Sequence, residues 1–192
     1  MAKRVIKKDV VKKKKKRWFD IVSPKEFGSV VLGETLAEKP EDLIGRTLRL
    51  GFGEIMRTGR RSNYGLVFEV IKINEGRAIT HVKSFGLVSS YVKRSGGKSK
   101  VKIEDSFLGE TKDKVKVRIK PLLLTKFVVQ GGVERDIRRK TKEYLLEIIK
   151  KEDYSVLVSK LVNSELQKKM RGILGKVYPL SISEIRVFKR VK

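Results

Sequence analysis

The chain is 192 residues long and carries 47 Lys and Arg against 22 Asp and Glu, a net charge of +25 at pH 7, with no cysteine. A charge of that size on 22.0 kDa is costly unless a polyanion offsets it, and the missing cysteines remove disulfides, thiolate zinc sites and cysteine nucleophiles. No apolar run reaches the roughly 18 residues of a membrane span, and the basic N-terminus leads into a Trp-bearing stretch instead of an apolar signal core, so a soluble intracellular protein without disulfides is expected.

Residues 1–17 hold ten Lys or Arg and one acid, a net +9, and residues 18–192 keep +16. The body is therefore basic in its own right. Lys12, Lys13, Lys14, Lys15, Lys16 and Arg17 repel one another, so this arm is expected to be disordered when free and to seek phosphates. Trp18, Phe19, Ile21 and Val22 can bury, and they predict a short strand that anchors the arm. Ser23-Pro24 breaks it and Phe27-Gly28 closes a turn. Pro40 to Gly45 reads as one helical turn, with proline at its start and glycine past its end.

Arg46–Ile55 alternates Leu48, Leu50 and Phe52 with Arg49, Gly51 and Gly53, the period of a half-buried strand. A polar loop with Arg57, Arg60 and Arg61 follows. Strands are predicted at Tyr64–Ile73 and Arg77–Lys83 around an Asn74-Glu75-Gly76 turn, a hairpin signal. Leu87–Arg94 suggests a short helix before Ser95-Gly96-Gly97-Lys98. A second hairpin is predicted from Lys100–Phe107 and Lys114–Lys120. In the latter, Val115, Val117 and Ile119 alternate with Lys114, Lys116, Arg118 and Lys120, so one strand face is wholly cationic. Pro121–Val129 reads as a further apolar strand with its proline at an edge or bend.

After Gly131-Gly132 the period changes. Val133–Lys151 places Ile137, Thr141, Tyr144, Leu145 and Ile148 on one helical face. Arg135, Arg138, Arg139 and Lys142 form a stripe beside it, where arginines can lie along phosphates. A second helix, capped by Asp153 or Ser155, carries Leu157, Leu161, Val162, Leu166, Met170 and Leu174 and ends at Gly175 and Pro179. Ser183–Arg190 reads as a last strand. The expected architecture is α+β: a curled antiparallel or mixed sheet, or barrel-like body, with two C-terminal helices packed on it. Residues 1–17 form the basic arm and 18–192 one globular domain, mainly β over 18–130, helical over 131–178, and closing with a strand and tail over 179–192.

Catalytic chemistry finds little support. Gly97 lacks the glycine five residues earlier that a phosphate loop needs, and the loop runs into β-rich sequence where that motif requires a helix. Tyr64-Gly65-Leu66-Val67-Phe68 only weakly matches the aromatic strand of an RNA-recognition motif. His81, the sole histidine, sits in a predicted strand, and the carboxylates show no metal-site spacing. We therefore expect no enzyme, no metal, no cofactor and no small-molecule substrate.

The chain resembles one family, the S3Ae small-subunit ribosomal proteins shared by archaea and eukaryotes. The residues that carry the resemblance begin with the basic arm and Trp18-Phe19, Ser23-Pro24 and Phe27-Gly28. Gly33-Glu34-Thr35, Ala37, Pro40, Leu43 and Gly45-Arg46 follow. Phe68-Glu69-Val70, Leu87, Tyr91, Thr111-Lys112-Asp113 and Arg118 come next, then Ile137-Arg138, Tyr178-Pro179-Leu180 and Ile185-Arg186. The match runs from about residue 12 to the end. Where the family has a dense arginine cluster after Tyr91, only Lys93, Arg94, Lys98 and Lys100 remain, and Lys114 stands where the family turn often has glycine. The family's eukaryotic C-terminal extension is missing, which suggests the archaeal type.

The resemblance implies a structural constituent of the small ribosomal subunit in the cytoplasm. It would bind rRNA on the platform near the mRNA exit and the rRNA 3′ region, among other small-subunit proteins and with mRNA nearby. The candidate RNA-binding set is the arm from Lys12 to Arg17 with Trp18, the loop arginines, the cations after Tyr91 and the helix stripe. A free RNA-binding module or an initiation-factor-like regulator is the alternative.

Overall fold

The computed structural model describes residues 15–56, 63–97 and 100–191. Nine strands in this part form one mixed, unclosed sheet: β1 (Arg17–Val22), β2 (Val31–Ala37), β3 (Thr47–Gly51), β4 (Tyr64–Asn74), β5 (Arg77–Leu87), β6 (Lys102–Glu104), β7 (Phe107–Glu110), β8 (Lys116–Thr125) and β9 (Leu180–Arg190). β5 is the hub. β4 runs antiparallel along one of its edges. Its other edge takes β1 in parallel at Arg77–Ile79 and β9 antiparallel at Ser84–Gly86. Beyond β9 come β8 and then β6 and β7, while β2 lies outside β1 and β3 outside β4.

The sheet curls without closing into a barrel. At its ends, the Arg46 guanidinium donates to Thr35 Oγ1 at 3.0 Å and to the Leu36 carbonyl at 3.1 Å, tying β2 to the residue before β3. Gly45 is left-handed at φ 84°, which only glycine adopts at no steric cost, so it sends Arg46 back across that gap. A small core of Phe19, Ile21, Ala37, Leu43, Val70 and Ala78 fills this curl.

Among the described residues, five α-helices complete the fold: α1 (Phe52–Met56), α2 (Ser89–Arg94), α3 (Gly131–Lys151), α4 (Tyr154–Val162) and α5 (Glu165–Gly175). The predicted face of α3 is inward: Ile137, Thr141 and Leu145 are buried, Tyr144 and Ile148 are half-buried against the core, and Ile149, outside the prediction, is buried as well. Gly109 on β7 lets that helix approach, since a Cβ there would lie 2.9 Å from Ile149. Gly86 similarly lets β9 cross β5, a Cβ there falling 2.7 Å from the Arg186 carbonyl.

Several expectations are corrected. The anchor of the arm is Phe19 and Ile21, because Trp18 is 67% exposed. Strand β2 was not anticipated. Arg46–Ile55 is a short strand followed by α1, which turns Phe52 and Ile55 into the core. The second hairpin is β7 with β8, and β6 pairs with the later half of β8. Pro121 lies inside β8 at a β-bulge where β9 carries the extra residue, so no new strand begins there. Tyr64, Leu66 and Phe68 all face the core, with Tyr64 stacked on Phe85 at 4.8 Å, so that strand offers no aromatic platform to bases.

The second predicted helix is two. Ser164 takes a left-handed conformation at φ 57° and separates α4 from α5, making three C-terminal helices. All six residues of its predicted stripe are nevertheless buried. The cap of α4 also comes from elsewhere: neither Asp153 nor Ser155 supplies a capping bond. Instead the Tyr154 N–H donates to Asp113 Oδ2 at 2.9 Å. Asp113 lies in the β7–β8 turn, where Lys114 adopts φ 58°, the conformation a glycine would supply. Although burial opposes it, the bond from Tyr154 holds the Asp113 carboxyl below its ordinary value. Asp113→Ala should lower stability by about 0.5–2 kcal/mol, read as a shift in urea midpoint at unchanged slope.

Candidate nucleic-acid interface

Strand β8 alternates as its sequence dictates. Val117 and Ile119 enter the main core, and Lys116, Arg118 and Lys120 point to the opposite face. Register adds to this row. Lys189 of β9 lies opposite Arg118, and Leu108 of β7, 60% exposed, flanks Arg118 on its other side. Glu110 lies opposite Lys116. Among the described residues, no ion pair reaches Lys116, Arg118, Lys120 or Lys189.

The same face continues along β8 to Leu122 and Leu124, which are buried under Val92 of α2. Helix α2 therefore sits at the end of the cationic row, and its last turn carries exposed Lys93 and Arg94. The fold thus brings two of the predicted residues beside the strand face that the sequence marks as cationic, and so adds Lys116, Arg118 and Lys120 to the candidate set. No local spacing could reveal this, because α2 and β8 meet only through tertiary packing.

At the other end of the row, Lys116 lines a cleft of about 710 Å³ with Lys83, Lys114, Arg190, Glu69, His81 and Asp113. Lys83 Nζ pairs with Glu69 Oε1 at 2.9 Å. His81 Nε2 lies 3.7 Å from Glu69 Oε2. Burial first, and then the nearby Arg190, lower the imidazole pKa, so the ring is neutral near pH 7 and adds no cation to the cleft.

The helix stripe divides. Arg138 donates to Glu134 Oε1 at 2.7 Å, to the Asp105 carboxylate and to the Glu104 carbonyl at 3.3 Å. The Glu134 carboxylate, followed by Asp105, raises the guanidinium pKa. Its charge is met within the protein and it ties α3 to the β6–β7 connection. Arg135, Arg139 and Lys142 are exposed, and among the described residues the ion pair of Arg139 is with Asp136, at 2.9 Å. Because α3 packs on the core side of β7 and β8, these cations lie on the other side of the sheet from the β8 row. Arg138→Ala should cost roughly 1–3 kcal/mol, since it leaves two partly buried carboxylates without their partner, whereas Arg139→Ala should stay within about 0.5 kcal/mol. Thermal unfolding of the two variants distinguishes them, and equal midpoints would refute this division.

Of the other predicted residues, Lys15 and Lys16 are exposed just before β1, and Arg17 is the first residue of that strand. Trp18 is exposed on the outer face of β1. Lys100 Nζ bonds Ser181 Oγ at 3.2 Å. Lys12, Lys13, Lys14, Arg57, Arg60, Arg61 and Lys98 lie outside the described residues. No helix among the described residues is long and apolar enough to cross a membrane.

Comparison with known proteins gives a consistent result. A model of the ribosomal S3Ae family matches residues 4–192. A small ribosomal subunit protein eS1 from Nanoarchaeum equitans is 32% identical over 175 residues, covering 91% of this chain and 88% of that protein. Proteins of the same name from Desulfurococcus amylolyticus and Halorubrum lacusprofundi are 28% and 27% identical over 186 residues, each alignment covering 97% of this chain and 85% of the relative.

Proposed function

The chain belongs to the ribosomal S3Ae family, and we propose that it is a structural constituent of the small ribosomal subunit that acts by neutralising rRNA phosphates. The observation that carries this reading is the row Lys116, Arg118, Lys120 and Lys189, rimmed by Lys93 and Arg94 and free of ion pairs among the described residues. A face that keeps several cations unpaired gains most from a polyanion, and affinity then comes from phosphate contacts with little reading of base edges. The exposed cations of α3, and Lys15, Lys16 and Arg17 at the start of β1, offer further phosphate contacts away from that row, as a protein wedged among rRNA segments would need.

In this reading the protein sits in the cytoplasm on the platform of the small subunit, near the mRNA exit and the 3′ region of the rRNA, beside other small-subunit proteins. The β8–β9 face and α2 bind rRNA, Lys12–Arg17 extends the contact, and mRNA passes nearby without being held. The chain carries out no reaction. The test is sedimentation of native lysate. The protein should stay with small subunits through a high-salt wash that strips cycling factors. Release into the supernatant would favour a free RNA-binding regulator instead.

A further inference from the structure

We propose that the outer face of the β1–β2 ribbon is a docking surface for a lysine- and arginine-rich segment of a neighbouring protein. The inference rests on the reading of the chain as a small-subunit component, but its evidence comes from a different part of the molecule. Residues 18–45 hold six acids and two lysines, a net −4, while residues 46–192 carry +20. The two strands themselves carry one cation, Arg17 at the start of β1, against Asp20 and Glu34, a net −1 in an otherwise basic chain.

Register builds the face in three rungs. Trp18 lies opposite Leu36, Asp20 opposite Glu34, and Val22 opposite Val31. The alternate residues Phe19 and Ile21 are buried, so the three rungs point away from the core. The outer two rungs are apolar and open: Val31 is 55% exposed and Leu36 36% exposed, alongside the still more exposed Trp18. The middle rung sets two carboxylates directly across from each other, an arrangement that destabilises a ribbon. Among the described residues no ion pair reaches either of them, and Arg77, the neighbour of Asp20 on β5, forms none with it.

An rRNA backbone is repelled by Asp20 and Glu34. A cationic side chain matches the whole face. Its charged head meets the two carboxylates, its aliphatic stem covers Leu36 or Val31, and an arginine can stack on the Trp18 ring. A basic segment is also what a second protein brings when it too must lie against rRNA. Charge complementarity therefore selects a protein partner on this face and rRNA on the β8–β9 face.

The test places a photo-crosslinking residue in the full chain, Leu36→p-benzoylphenylalanine, and irradiates purified small subunits containing it. Leu108→p-benzoylphenylalanine, beside Arg118, serves as the probe of the other face. Position 36 should crosslink to a lysine- or arginine-rich protein segment, and position 108 to rRNA. Crosslinking from position 36 to rRNA, to residues 1–14 of the same chain, or to nothing at all would overturn the assignment. A Leu108 probe that fails to reach rRNA would instead defeat the proposed RNA face, while the position-36 result stands. Asp20→Asn combined with Glu34→Gln should lower the position-36 yield by roughly threefold to tenfold, the effect of losing two exposed ion pairs. An unchanged yield would show that the partner is not held by its charge.

Discussion

Raising monovalent salt from about 50 mM to about 200 mM should weaken binding of the whole chain to a small-subunit rRNA fragment by about 10³-fold or more. The size follows from the exposed cations of one face. Lys116, Arg118, Lys120, Lys189, Lys93 and Arg94 are clustered on one face. Neutralising a phosphate releases condensed counterions, and the logarithm of affinity falls by about 0.7–0.9 per contact for each logarithm of salt. Six contacts in a fourfold salt change give close to three orders of magnitude. Engagement of Lys12–Arg17 as well would carry the loss towards about 10⁵-fold. Filter binding across a salt series measures this directly. A flat response would mean that the cationic surface is not the binding surface.

The largest effect expected on folding is at Leu145. It is fully buried at the middle of α3, within the core that joins this helix to Val117 and Ile119 of β8. Leu145→Ala removes that side chain and leaves a cavity, and should cost roughly 2–5 kcal/mol. The consequence reaches the site, because Val117 and Ile119 are the inward partners that turn Lys116, Arg118 and Lys120 outward. Urea unfolding should show a lower midpoint with an unchanged slope, and weaker RNA binding only where the unfolded fraction becomes appreciable. A cost below about 1 kcal/mol would show that α3 is not packed on the sheet in this way.

Both effects depend on features that differed in how readily the sequence displayed them. The β8 alternation was plain, because Val and Ile at every second place among Lys and Arg have one physical solution in a half-buried strand. The inward face of α3 was equally plain. The break between α4 and α5 was not. Neither Asn163 nor Ser164 is a strong breaker, and the apolar stripe keeps its helical spacing across them, so periodicity alone reads one helix. Strand β2 was hidden because Val31–Ala37 sits at an open edge with only Ala37 buried and shows no clean alternation.

The site was legible in composition more than in place. Runs and stripes of cations can be read from one segment, but whether a cation is free depends on distant residues. Arg138 looked like its neighbours, and only the fold brings Asp105 and Glu104 to it from 33 and 34 residues away. Lys93 and Arg94 gained their setting the same way, through Val92 closing over Leu122 and Leu124. Trp18 follows a run of lysines in sequence, yet its cross-strand surroundings are Leu36 and the carboxylates of Asp20 and Glu34. Asp113 caps a helix that begins 41 residues later, beyond the reach of any local capping pattern.

The binding of rRNA to the β8–β9 face is tested by the salt dependence of a variant in which the strand row alone is neutralised: Lys116→Gln, Arg118→Gln, Lys120→Gln and Lys189→Gln together. All four side chains point away from the core, so the circular dichroism and unfolding midpoint should stay close to those of the parent chain. The slope of log affinity against log salt should become shallower by about 3–4, near 0.7–0.9 for each of four lost phosphate contacts. A slope equal to that of the parent chain would contradict the assignment of rRNA to the β8–β9 face.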